Sequence, residues 1–310
     1  MKRNCIRQTC IAMKTLTLSM AKLEQEINGF LTDYLKEKSA ETHGTYQRAL
    51  REFQRYFAVA KEWFLFRPED IEQYKTYLMK EKKLSQVSVS TYLTALRRLL
   101  DYFVAQHLLD ENPAKSVKGN RRPTTHTAGV LTEAEAQKLL LVIPTEKLQD
   151  QRDRIAVRLM MESAVSEHEL VKANVEDLKK FSTRYVLFVQ AKGKKTKDDA
   201  VDVPLSLGFE IEAYLERRRK VLPLSPLLVS HSRRVSEERM TTRALNYRLN
   251  HWLDAAGIVR DNITPHSLRH TAAKLWIERD RLPLEEVKRR MRHGMIATTK
   301  IYTANSSISD

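Results

Sequence analysis

Cysteine is nearly absent. The 310 residues hold two, Cys5 and Cys10, in a ragged N-terminal stretch with no other Cys or His nearby. That leaves no disulfide framework and no zinc site, and it fits a reducing compartment. Long apolar runs are missing too, and none approaches the length of a membrane span. Met1-Lys2-Arg3 opens like a secretion signal, but Arg7 and Lys14 break any apolar core and no small-residue cleavage pattern follows. The expectation is a cytoplasmic protein whose residues 1–20 form a flexible start, with Met13 or Met20 as possible true starts. There is no internal repeat and no low-complexity segment. Acidic residues are in short supply, 39 against 54 Lys and Arg, for a net charge of +15. Such an excess points to a polyanionic partner, nucleic acid first and an anionic membrane surface second. A hydrophobic content of 42% excludes disorder as the source of that charge, and the length leaves room for two cored domains.

What is present is mostly helical pattern. Leu23, Ile27, Phe30, Leu31 and Tyr34 repeat at 3.6 spacing from Ala21 onward. A second helix is expected from about Thr45, with Tyr46, Leu50, Phe53 and Phe57 on one side and Arg48, Arg51 and Arg55 on the other. A third follows Pro68, with Ile71, Tyr74 and Leu78 inward. A fourth begins near Ser88 and carries Val89, Tyr92, Leu93, Leu96, Leu99, Leu100 and Phe103. Four amphipathic helices make a small bundle over residues 21–114. Asn112-Pro113-Ala114 ends it. Residues 115–129, KSVKGNRRPTTHTAG, read as a basic tether whose Lys115, Lys118, Arg121 and Arg122 can touch phosphates.

Leu131-Thr132-Glu133-Ala134-Glu135 is a capping box with Leu131 as hydrophobic staple, and it opens a second domain, 130–310. A helix is expected over Arg154–Val165. Strands are expected at Tyr185–Val189 and Ala200–Leu205, joined by a turn with Lys192-Gly193-Lys194-Lys195 at its tip. Helices follow around Phe209–Leu215 and from Thr241 or Thr242 to Gly257. The fold class is therefore mainly α: a four-helix bundle, then a mixed α+β domain with a small hairpin or sheet.

The richest stretch for chemistry is Thr264–Tyr302. Thr264-Pro265 starts a helix, with a capping hydroxyl followed by proline in the first turn. His266 and Arg269 then share one face at i and i+3. Leu268, Ala272, Leu275 and Trp276 form a packing face. Pro283 opens another helix with Leu284, Val287 and Met291 inward, and His293-Gly294 ends it with glycine in the left-handed position. A short run from Ala297 ends at Tyr302. Cleaving a phosphodiester without metal requires a nucleophile, cations on the non-bridging oxygens and an acid for the leaving oxygen. Tyr302 offers a phenol and Arg269 a planar fork for two phosphate oxygens. His266 and His293 can donate hydrogen bonds or move protons.

In order and spacing, His266-x-x-Arg269-His270, Met291-Arg292-His293-Gly294 and Thr298-Thr299-Lys300-Ile301-Tyr302 resemble the signature of the tyrosine recombinases, the phage integrase family. Thr42, Tyr46, Leu50 and Phe53 match the rhythm of that family's SAM-like core-binding domain. Lys192-Gly193-Lys194-Lys195 is similar to its GKGxK hairpin. The resemblance implies a site-specific recombinase or integrase that works through a 3′-phosphotyrosine link, needing neither metal nor cofactor. It makes Tyr302 the nucleophile, Arg269 and His266 the phosphate grips, His293 an orienting group and Lys192 the proton donor. Arg48, Arg51, Arg55, Arg121, Arg122, Lys194 and Lys195 become DNA contacts. It implies double-stranded DNA as partner, a tetramer on DNA, possible accessory DNA-bending or directionality proteins, and a nucleoid-associated place in the cell. The eight residues after Tyr302 make a short tail, which suits a compact Xer-like or mobile-element enzyme.

One position departs from the family pattern. The segment G-x-R-x-[ST]-E-L reads Ala164-Val165-Ser166-Glu167-His168-Glu169-Leu170, with Ser166 where the first catalytic arginine is expected. A serine supplies neither charge nor fork. Either a nearby cation, such as His168, Lys172 or Arg158, substitutes, or the chain is a DNA-binding regulator that kept the fold. A type IB topoisomerase-like enzyme and a generic basic helical protein are the other rivals. The first would relax any supercoiled plasmid, and the second would tolerate alanine at Arg269.

Overall fold

The computed structural model describes residues 18–38, 40–61, 63–119, 129–191, 193–232, 237–300 and 302. The chain divides into two compact units between Pro123 and Thr124.

The first unit is a helical bundle. Ser19 caps α1 (Met20–Gly29), which runs on through a π-helical turn, Phe30–Tyr34. Leu18, inside the stretch expected to be flexible, is buried. The second helix, α2 (Ala40–Ala60), begins five residues before Thr45. Its early turn continues through Gly44, where the His43 ring meets the Leu31 carbonyl at 3.1 Å. A tertiary contact thus extends a helix that its own glycine would weaken. Next come α3 (Pro68–Lys80), with Pro68 in its first turn, and α4 (Gln86–Ala105), capped by Ser85 three residues before the expected start. The centre is aromatic: Phe53, Phe57, Phe64 and Tyr74 are all buried, with Phe53 edge-on to Tyr74 at 5.3 Å. Lys115 to Gly119 do not begin a free tether. Arg97 on α4 donates to the carbonyls of Ala114 and Val117 at 3.0 and 2.8 Å, and Val117 joins the bundle core.

The second unit opens as its capping box dictates. Thr132 and Glu135 bond reciprocally at the start of α5 (Glu133–Val142), and Leu131 and Ala136 share the core. The next helix, α6 (Leu148–Ser163), starts six residues earlier than expected and stops at Ala164, which takes a left-handed φ of 49°. A short helix, α7 (Glu167–Lys172), leads into a three-stranded antiparallel sheet in the order β1 (Leu178–Lys180), β2 (Tyr185–Val189), β3 (Asp199–Val203). In register, Tyr185 faces Val203 and Val189 faces Asp199. The β1 strand is additional to the expected hairpin, and Leu205 is not in a strand. It begins α8 (Leu205–Arg217). Then come α9 (Thr242–Ala255), α10 (Pro265–Glu278), α11 (Leu284–Met291) and the five-residue α12 (Ile296–Lys300).

Two features hold this unit in shape. Asp153 on α6 is fully buried and accepts from Arg152, Arg248 and the Trp252 indole, joining α6 to α9. Gly208 on α8 lies flat against the buried Tyr185 ring, where an added Cβ would stand 2.1 Å from a ring carbon. Gly208→Ala should therefore destabilise the unit by about 1–3 kcal/mol through overpacking. That outweighs the roughly 1 kcal/mol helix-propensity gain of alanine over glycine. Urea unfolding of the two proteins checks the sign.

Candidate active site

The site is built around the N-terminus of α10. Thr264 caps it reciprocally with Ser267, and Pro265 fixes the first turn. This sets His266 and Arg269 one turn apart on a single face. Arg269 is nearly buried. Its Nη1 donates to Glu169 Oε2 at 3.1 Å and its Nη2 to the Met291 carbonyl. Burial lowers its pKa, the neighbouring Arg292 charge adds to that, and Glu169 opposes both. The group remains a cation at neutral pH.

Glu169 is placed by a second capping box. Ser166 caps α7, its hydroxyl accepting from Glu169 N–H while its own N–H donates to Glu169 Oε2 at 2.7 Å. The same oxygen accepts from Arg292 Nη2, also at 2.7 Å. One buried carboxylate oxygen thus ties together α7, α10 and the end of α11. Beside it, His266 Nδ1 lies 2.9 Å from Glu167 Oε2. Burial works to raise the Glu167 carboxyl, but the hydrogen bond from His266 and the Arg269 charge nearby outweigh it and hold it below the usual range.

Tyr302 stands against the same side of α10, next to His270, whose ring centroid lies 4.8 Å from that of His266 one turn earlier. Its hydroxyl is 2.5 Å from His270 Nδ1, and the His293 ring stacks on it, with centroids 6.2 Å apart and planes 13° from parallel. His293 Nδ1 in turn meets Thr299 Oγ1 at 2.9 Å. Burial pushes the Tyr302 phenol up to about 12, with Arg269 offsetting part of that shift. At neutral pH it is a protonated phenol held on an imidazole.

The chain past Pro283 turns differently from the expected cap. Pro283 is the N-cap of α11, and the left-handed residue that ends this helix is Arg292, φ 57°, not Gly294. Bonds from the Arg292 side chain to Ala164 O and Glu169 hold a residue that the backbone alone would disfavour.

Four of the five expected catalytic residues are therefore found together: Tyr302, Arg269, His266 and His293. The fifth, Lys192, lies outside the described residues, as do Arg121 and Arg122. Gly193, beside Lys192, has a φ of 87° that suits glycine at this turn. Lys194 pairs with Asp199 at 2.9 Å, and Lys195 is exposed. In the first unit Arg48 and Arg51 are exposed on α2, and Arg55 on the same helix pairs with Glu52 at 3.1 Å. Ser166 is a helix cap. Among the three cations considered as replacements, Arg158 is committed to Glu162 and Glu210, at 2.7 and 2.6 Å. His168 and Lys172 are half-buried on α7. Reading the sequence alone missed the parts played by Glu169, His270 and Arg292. The capping pattern Ser166-x-x-Glu169 was a signal for the first, and His270 stands inside the His266-x-x-Arg269-His270 motif.

Residues 129–307 match the model of the phage integrase family, and residues 24–110 match that of the phage integrase N-terminal SAM-like domain. The chain belongs to the phage integrase family, the tyrosine-type site-specific DNA recombinases. Tyrosine recombinase XerA of Pyrococcus furiosus is 32% identical to this recombinase over 225 residues, covering 73% of this chain and 72% of the relative. Tyrosine recombinase XerC of Chlamydia pneumoniae is 28% identical over 240 residues, covering 77% and 74%. Among solved structures, the XerH site-specific recombinase bound to palindromic difH substrate, a post-cleavage complex, superposes with a TM-score of 0.69 at 19% identity, over 93% of this chain and 82% of that one. A lambda integrase dimer on a COC′ core site gives 0.67 at 14% identity, over 89% and 96%. At these identities the two structures speak for the fold. Among the described residues of this recombinase, no helix is long and apolar enough to cross a membrane, and no group of three or more His, Cys, Asp or Glu could hold a metal ion.

Proposed function

We propose that this recombinase cuts and rejoins DNA with Tyr302 as nucleophile. The observation that carries the reading is the convergence of Tyr302, His270, His293 and Arg269 in one place, from segments that the chain separates. The Tyr302 oxygen attacks a backbone phosphorus, and the bond from phosphorus to the 5′-oxygen breaks. A 3′-phosphotyrosine forms and a 5′-hydroxyl leaves. The phenol proton passes to His270, whose Nδ1 already holds it. Arg269 and His266 grip the phosphate oxygens, Glu167 and Glu169 orient those two grips, and His293 steadies the tyrosine ring. Lys192, by the family pattern, protonates the departing oxygen. Attack by a 5′-hydroxyl from a second strand reverses the step without ATP, because the phosphoester bond energy is kept in the link.

The partner in this reading is double-stranded DNA, bound by protomers that assemble as a tetramer on two sites. Structures similar in fold include a lambda integrase tetramer bound to a Holliday junction. A nicked suicide duplex from the gene's own genomic neighbourhood tests the reading: the protein should become covalently attached, and mass spectrometry should place the DNA on Tyr302. Attachment at another residue, or none in a protein that binds the site, defeats it. The second outcome would favour a DNA-binding regulator on the recombinase fold, a reading supported by Ser166, which offers a hydroxyl where the family pattern has a guanidinium.

The exposed face of α2 supplies phosphate contacts in this reading. Arg48→Ala combined with Arg51→Ala should weaken binding similarly at all sequences. It should also reduce the slope of log affinity against log salt by about 2, one for each phosphate no longer neutralised. Fluorescence anisotropy across a salt series measures this. Arg55 is left out because it shares Glu52 with Tyr77 and Lys82.

A further inference from the structure

Arg292 is an odd residue to find at the end of α11. Its φ of 57° costs a side-chain-bearing residue about 1–2 kcal/mol relative to glycine. The family pattern Leu-Gly-His has glycine at that point, which would avoid the cost. Its guanidinium is almost withdrawn from solvent, its side chain 12% exposed, the same fraction as that of Arg269. Both cations lean on the one oxygen of Glu169. Two positive groups on one anion, one of them on a strained backbone, is an arrangement that packing alone does not call for.

Its placement is more telling. Arg292 Nη2 donates to the carbonyl of Ala164 at 3.0 Å and to Glu169 Oε2 at 2.7 Å. Ser166 N–H donates to that same Glu169 oxygen at 2.7 Å. The guanidinium of Arg292 therefore occupies the corner formed by residues 164–169, although its own backbone belongs to a segment more than a hundred residues later. This is the corner whose family pattern has an arginine and whose sequence here has Ser166. Nη1 donates to Arg290 O at 3.0 Å, so three N–H groups are spent inside the protein. One Nη1 hydrogen is left, and the buried Nε has no partner among the described residues. A guanidinium carries five donors, so a phosphate oxygen arriving beside Arg269 would find the second Nη1 N–H still uncommitted, the Nε being enclosed by protein.

We propose that Arg292 is the second phosphate-gripping guanidinium of this active site, delivered from the left-handed end of α11 in place of the arginine absent at position 166. The assignment rests on the recombinase reading above. In the cleavage step Arg292 stays protonated and forms no covalent bond. It holds one non-bridging oxygen while Arg269 holds the other, and negative charge builds on both as the phenol oxygen attacks.

Arg292→Gly tests this, because glycine relieves the backbone while removing the guanidinium. The variant should melt below the parent, because Glu169 loses one of its two buried cations, but remain folded and still occupy the DNA site. On a suicide duplex it should form the Tyr302 adduct about 10²–10³-fold more slowly, the loss typical of removing one oxyanion donor. A matched duplex with a neutral methylphosphonate at the cleaved position, which lacks the charge a guanidinium would balance, should shrink that gap to under about tenfold. Adduct formation at the parental rate on the ordinary duplex overturns the assignment and leaves the recombinase reading standing. An equal slowing on both duplexes overturns it as well, since a purely structural role would treat the two alike. A parent chain that forms no adduct overturns the recombinase reading and this assignment with it.

Discussion

Tyr302→Phe should bind its DNA site as the parent does and form no covalent link. Removing the nucleophile from covalent catalysts costs on the order of 10⁶-fold in rate, which places any remaining adduct below detection on a denaturing gel. The fold should survive. The phenol ring packs with Ala164, Trp276, Val287 and Met291, and phenylalanine keeps that packing. What goes is the hydroxyl's bond to His270, worth about 1 kcal/mol net. Circular dichroism melting should show that small change beside an abolished reaction. Unaltered adduct formation by this variant would transfer the chemistry to another residue.

Asp153→Ala should have the largest effect on stability. Asp153 is fully buried and accepts from Arg152, itself 3% exposed, from Arg248 and from the Trp252 indole. Removing one partner of a buried ion pair leaves the other charge stranded, at a cost of about 3–5 kcal/mol. Arg152 keeps one bond, to the Val229 carbonyl, and Arg248 keeps Asp150, so the cost should fall inside that range. For a domain of roughly 150–250 residues, each kcal/mol lowers Tm by about 2–4 °C, so a fall of about 10 °C is expected by calorimetry. Asp153→Asn keeps one acceptor oxygen but turns an NH2 onto donors at the other and removes the charge, so it should also lose several degrees. If Asp153→Ala melted within about 1 °C of the parent, the network would be ornamental.

How far the sequence revealed this structure depends on the distance over which each feature is decided. Local features could be read directly. The stripe Val89, Leu93, Leu96, Leu100 lines α4, the capping box at Thr132 starts α5, and the capping Thr264 with Pro265 starts α10. The misses have long-range causes. The early start of α2 depends on a contact from His43 to Leu31. Three residues, Leu178-Lys179-Lys180, have no alternating pattern and become a strand because β2 lies beside them. Within the site, His266, Arg269, His293 and Tyr302 could be named because their spacing is local. Glu169 could not be given its part, because Arg269 lies 100 positions away and Arg292 lies 123 away. Glycine looked the natural left-handed residue after α11, and on backbone grounds it is. Side-chain bonds across the fold decided for Arg292 instead.

The single oxygen shared on Glu169 has a consequence for descent. Three stretches of chain meet at that atom, and none can be exchanged without the others registering it. A lineage that lets a cation go from one of them is pressed to restore it from another before the carboxylate becomes a lone buried charge. Among kin of this chain, then, the residues at 166 and 292 should travel as a pair, changing together or holding together.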